Sequence, residues 1–200
     1  MLGRTLSPVR GYPVTRTALV AAGVPDRYWG ASMKAVDECA HRGAILAYMG
    51  AVHERAQKGK GLLLHGGPGT GKTSAAVAIL KEVVRRGGTA YFLAARHITR
   101  ALYENEETED GLALVKHQIQ RVTLLVLDDL GAEGFNPKGN AGAALEGVVR
   151  DRYDARRPIV VTTNRTLEGL AEVYTPALLN ILKRTVEVVH VQTKQWKGKS

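Results

Sequence analysis

The chain has 200 residues, 44% of them hydrophobic and 24% charged, with a net charge of +9. That length suits one domain, with a second only if very small. No stretch approaches the ~20 apolar residues of a membrane span, and a single cysteine, Cys39, excludes an intramolecular disulfide and a cysteine-rich zinc site. The N-terminus, MLGRTLSPVRGYPV, lacks the apolar core of a signal peptide, so a cytoplasmic chain is expected. Residues 1–60 carry a net +5, residues 61–130 are neutral, and residues 131–200 carry +4. The cationic excess therefore lies outside the central segment and suits a polyanionic partner, nucleic acid first.

Residues 1–30 are rich in Gly, Pro and Arg, show no period, and read as an extended N-terminal arm. Ser32 can cap a helix running to about Lys58, with Val36, Ala40, Leu46, Met49 and Val52 on or near one face. Gly59 and Gly61 stop it. The short apolar run 62–64 reads as a strand buried on both faces. A helix over 72–86 ends at Gly87 and Gly88, and 89–94 is a second strand. Two helices are expected within 95–120, split by an acidic turn at 104–110. Strand 122–128 follows, then a helix over about 141–155, strand 159–163 after Pro158, a helix near 176–183, and a last strand 186–191. Strands alternating with helices predict a parallel sheet covered on both faces.

Four motifs carry chemistry. The sharpest is Gly66, Gly67, Pro68, Gly69, Thr70, Gly71, Lys72 and Thr73, a complete G-x-x-x-x-G-K-[ST] between a strand and a helix. Its glycines let backbone N–H groups close on phosphates, Lys72 answers the β and γ phosphates, and the Thr73 hydroxyl can ligate Mg²⁺. Ser74 continues the loop into the helix N-terminus, which favours an anion. ATP and Mg²⁺ are the implied ligands. The second motif is an apolar strand ending in Asp128 and Asp129, about fifty-five residues later. Asp128 is expected to hold Mg²⁺ and Asp129 to polarise the attacking water, making the chain a Mg²⁺-dependent ATPase. Third, strand 159–163 ends at Asn164, which can orient that water. Fourth, Arg184 just precedes the last strand; it is a candidate finger for a neighbouring subunit's γ-phosphate, with Lys183 as the competing cation.

Together these motifs resemble the AAA+ ATPases, and the wording of Ala22–Tyr28, Gly61–Gly66, Asp128–Glu133 and Thr162–Asn164 resembles the DnaC/DnaI helicase loaders and their relatives, the IstB transposition ATPases. The resemblance covers about residues 20–190. It implies a five-stranded parallel sheet in the order 5-1-4-3-2, with helices on both faces, and ATP-bridged self-association on DNA or on a ring helicase. It places an ATPase domain at 31–191, between the arm at 1–30 and a basic tail at 192–200. No helical lid domain is expected, and Lys197 and Lys199 are the cations near the usual lid arginine. The helices within 95–120 fall where the family inserts a single-strand-binding element. Because 104–110 holds five acidic residues, DNA contacts there are expected from Arg96, Arg100, Lys116 and Arg121.

The leading functional expectation is a loader that delivers a replicative helicase to single-stranded DNA. The alternative is a transposition regulator that forms ATP-dependent oligomers on duplex target DNA and recruits a transposase. A small-molecule P-loop kinase is a third reading, but it leaves Asn164, Arg184 and the basic excess without a role. No membrane partner is expected.

Overall fold

The computed structural model describes residues 11–32, 41–98, 116–132 and 140–192. Five parallel strands form one sheet: β1 (Gly61–His65), β2 (Ala90–Ala94), β3 (Leu124–Leu130), β4 (Ile159–Thr163) and β5 (Val186–His190), in the spatial order β2-β3-β4-β1-β5. This is the expected 5-1-4-3-2 order. Side chains alternate along each strand, so each face of the sheet needs its own cover. Leu62, Leu64, Val126 and Val160 pack on one side with the helix Lys72–Arg85, whose Ala76, Val77, Ile79 and Leu80 are fully buried. Leu63, Leu125, Leu127 and Val161 pack on the other with Leu145, Val148, Leu178 and Leu182. The apolar runs at 62–64 and 124–127 follow directly from this double burial.

The helices are α1 (Arg16–Ala21), α2 (Arg42–Gly50), α3 (Val52–Gln57), α4 (Lys72–Arg85), α5 (Asn140–Asp154), α6 (Leu167–Ala171) and α7 (Pro176–Thr185). Short turns of 3₁₀ type occupy Asp26–Tyr28 and Ala95–His97, and a π-helical turn occupies Lys116–Arg121. Of the two helices expected within 95–120, only the turns at either end fall on described residues. Of the single helix expected over 32–58, residues 33–40 lie outside the described residues, and the rest is divided at Ala51, directly after Gly50, whose lack of a Cβ makes a helix interior costly there. Among the described residues no helix is long and apolar enough to cross a membrane.

Over 11–30, the described part of the expected extended arm, the segment is instead partly helical and packed on the core; residues 1–10 lie outside the described residues. Thr15 caps α1 by accepting Ala18 N–H at 3.1 Å, and Leu19, Ala22 and Val24 are 4% exposed in the core under α4. Phe92 N–H on edge strand β2 donates to Ala22 O at 2.8 Å, so the segment covers a sheet edge. Six helical residues are too few to display a period, and Gly and Pro density masked the burial.

Candidate nucleotide site

The parallel registers align the strand tips. Ala94 sits opposite Asp128, Leu64 opposite Thr162, and His65 opposite both Thr163 and His190. Chemistry carried by the ends of β1, β3 and β4 therefore gathers at one edge, where ligands bind in open parallel sheets.

The loop after β1 turns at Gly66, with φ 152°, where a Cβ would lie 2.1 Å from Val191 O. No side chain fits there. Gly71, with φ 88°, caps α4 in the left-handed region that glycine tolerates. Lys72 is the first residue of α4, and its Nζ donates to Gly66 O at 2.9 Å and to Gly67 O at 2.6 Å. The ammonium is thus folded inside the loop's own curve, 7% exposed. Burial pulls its pKa below the ordinary lysine value, and Asp129 and Asp128 partly oppose this. Gly69 to Ser74, with Tyr28, line a pocket of about 240 Å³.

Asp128 is 6% exposed. Burial raises its carboxyl above the usual aspartate range, while hydrogen bonds from Thr162 and Thr73 oppose the rise. Thr73 and Asp128 are thus brought together as a Mg²⁺ site requires. Asp129 stands in a left-handed conformation, φ 62°, where the β3–β4 register shifts between Leu127 and Leu130. This costs a non-glycine residue about 1–3 kcal/mol and re-aims the carboxylate. Asn164 Nδ2 donates to Asp129 Oδ1 at 3.4 Å.

Sequence reasoning missed Thr162. Its hydroxyl accepts Asp129 N–H at 2.9 Å and donates to Asp128 Oδ1 at 2.6 Å, so one side chain orients both acids. The signal was a polar residue in an otherwise buried strand. It also missed Tyr28 and Arg27, which lie in the quoted segment 22–28 without an assigned role.

The other expected residues scatter. Arg184 is exposed beside the opening of β5, and its carbonyl accepts Lys60 Nζ at 2.8 Å. That is the opposite edge of the sheet from the loop. Arg96 is exposed just after β2, at the nucleotide edge, whereas Arg121 is exposed just before β3, at the other edge. A full strand length separates these two. Lys116 opens the π-helical turn, but its side chain lies outside the described residues, as do Arg100, Lys197, Lys199 and the acidic stretch 104–110.

The sequence family described as IstB-like ATP binding protein matches residues 50–200. The chain belongs to this family. As an IstB-like protein it is 32% identical over 135 residues to an insertion sequence IS21-like putative ATP-binding protein of Bacteroides fragilis, covering 65% of this chain and 50% of that protein. It is 26% identical over 113 residues to the replicative helicase loader DnaC of Escherichia coli, covering 55% and 44%. The crystal structure of a DnaC helicase loader superposes with a TM-score of 0.71 at 25% identity, covering 84% of this chain and all of the other. The chain spans about half the length of the curated relatives it matches.

Proposed function

We propose that this IstB-like protein hydrolyses ATP with Mg²⁺ and uses the ATP-bound state to assemble on DNA and recruit a second enzyme. The gathering of Lys72, Thr73, Asp128, Asp129 and Asn164 around one loop carries the reading. The loop fits a triphosphate, because the Lys72 ammonium lies buried within its curve, held by loop carbonyls that phosphate oxygens can replace. Lys72 would exchange loop carbonyls for β and γ phosphate oxygens. Thr73 and Asp128 would hold Mg²⁺, which neutralises phosphate charge. Asp129 would accept a hydrogen bond from the attacking water, and Asn164 would fix that water's position. The measurement is nucleotide binding and turnover. Lys72→Ala should lose at least tenfold in ATP affinity, about 1.4 kcal/mol. Asp129→Asn should bind ATP normally and hydrolyse it much more slowly. Wild-type affinity in the first, or wild-type turnover in the second, refutes these assignments.

For the recruited enzyme, the family and the insertion-sequence relative support a transposase, reversing the order expected from sequence alone. ATP-dependent filaments on duplex DNA would test it. The helicase-loader reading is favoured by the likeness to DnaC over all of that chain's structure. Capture of the host's replicative helicase, without filaments on duplex DNA, would decide for the loader.

A further inference from the structure

The segment 22–31 is held rigidly against the ATPase core. Phe92 N–H donates to Ala22 O, Trp29 Nε1 donates to Val24 O at 2.9 Å, and Lys81 Nζ on α4 donates to Trp29 O and to Ala31 O. Two side chains of this segment reach the nucleotide edge. Tyr28 lines the pocket over Gly69 to Ser74. Its ring carries the Arg27 guanidinium at 4.9 Å, and Arg27 itself lines a cleft of about 280 Å³ whose wall includes Asp128. Arg27 is solvent-exposed, its strongest partner is the Tyr28 side chain, the Asp128 carboxylate acts on it as a weaker opposite charge, and it has no part in the chemistry assigned so far.

A diphosphate held in the loop ends at Lys72 and Thr73. A third phosphate would extend toward the carboxylate-bearing tip of β3, where Thr73 and Asp128 would hold Mg²⁺ and offset the terminal phosphate's charge. A guanidinium that lines one cleft with Asp128 is therefore placed for the γ-phosphate rather than for the rest of the nucleotide. We propose that Arg27 is a terminal-phosphate contact within the subunit's own site: held over Tyr28 at the mouth of the cleft that reaches Asp128, it bonds the γ-phosphate and distinguishes ATP from ADP. This rests on the reading that residues 66–74 hold ATP. It gives the subunit a cation of its own at the terminal phosphate, separate from any finger supplied by a neighbour. Guanidinium, with its planar fork of donors, suits this better than ammonium.

The test is equilibrium binding of Mg²⁺–ATP, a non-hydrolysable ATP analogue and Mg²⁺–ADP to the full chain, for wild type, Arg27→Ala, Arg27→Lys and Lys72→Ala. Arg27→Ala should lose about tenfold for ATP and the analogue, and nothing for ADP. Arg27→Lys should recover part of the loss. Unchanged ATP affinity in Arg27→Ala, with binding lost in Lys72→Ala, overturns the role of Arg27 and leaves the nucleotide site standing. Equal losses for ATP and ADP overturn it too, since Arg27 would then act only by seating Tyr28 and its segment. Wild-type binding of both nucleotides by Lys72→Ala removes the underlying reading, and this inference with it.

Discussion

Thr162 Oγ1 stands 2.6 Å from Asp128 Oδ1 and donates to it, while accepting the Asp129 amide at 2.9 Å. A single hydroxyl on β4 thereby sets the rotamer of one acid and the backbone of the next. Thr162→Val keeps the branched shape and removes both bonds. The Asp128 carboxylate then loses a donor that favours its charged form, and the left-handed Asp129 loses a tether. Supporting residues of this kind commonly alter metal affinity by 10–100-fold. The Mg²⁺ concentration that half-saturates ATP binding should therefore rise about tenfold in Thr162→Val, with Thr162→Ser close to wild type. Equal Mg²⁺ requirements in all three proteins would leave Thr162 a packing residue only.

Asp128 also links activity to stability. Its carboxyl is raised by burial, so the folded chain holds this proton to a higher pH than the unfolded chain, whose aspartates titrate near ~3.9. Between those two values the folded state binds more protons, and stability falls as pH rises through the window. The loss is complete once the pH exceeds the folded-state value. Asp128→Asn removes the buried charge and keeps an acceptor for Thr162. In nucleotide-free protein at pH 7, Asp128→Asn should melt higher than wild type, and the gap should close on acidification toward the unfolded value. Mg²⁺-dependent ATP binding should be lost in the same variant. A melting temperature below wild type at pH 7 would contradict this balance.

The parts of the fold that were legible in the sequence are those with short-range signals. The loop of Gly66–Thr73 and the apolar runs before and after it fixed the strand order through the family resemblance. Asp128, Thr73 and Asn164 followed because each lies at a strand tip or just past the loop, and parallel register brings tips together. The polarity of Thr162 in a buried strand was visible, but its role was not, because that depends on the register between β3 and β4, which no local pattern reports. The packing of α1 was hidden for the same reason: the contact that holds it is the Phe92 amide, seventy residues from Ala22.

Arg152 is a further residue that only the fold explains. A helix arginine is expected on the surface. Here it is fully buried, and its guanidinium donates to Ile119 O at 2.8 Å, Val122 O at 3.1 Å and Pro158 O at 2.9 Å. It therefore ties α5 to the segments that open β3 and β4. Arg152→Met fills much of the same space but strands these carbonyls without donors. The expected cost is about 3 kcal/mol, or roughly 6–12 °C in Tm for a chain of this size. Loss of less than 2 °C, read by calorimetry, would mean that water replaces the guanidinium.

Arg184 lies where its own nucleotide is out of reach. Val186, two residues on, pairs with Gly61 at the start of β1, whereas the loop begins after His65 at its end. Four strand residues separate these points by roughly 13 Å. Lys58, Lys60 and Arg156 line the same cleft of about 380 Å³ with Asp154 as its one acidic residue among the described residues, so the cleft keeps a cationic excess that suits a further anion. A neighbour's ATP is one such anion, and the arrangement then predicts that hydrolysis requires association. Turnover should rise more than linearly with protein concentration, and DNA should enhance it by aligning subunits. Arg184→Ala keeps a complete pocket without a finger, and Lys72→Ala keeps a finger without a working pocket. Each alone should be nearly inactive, because a finger is typically worth ~10³–10⁵ in rate in P-loop enzymes. An equimolar mixture should recover part of the activity, since some Arg184→Ala pockets then face an intact arginine. Full, DNA-stimulated hydrolysis by Arg184→Ala alone would transfer the role to Lys183, the exposed cation one residue earlier.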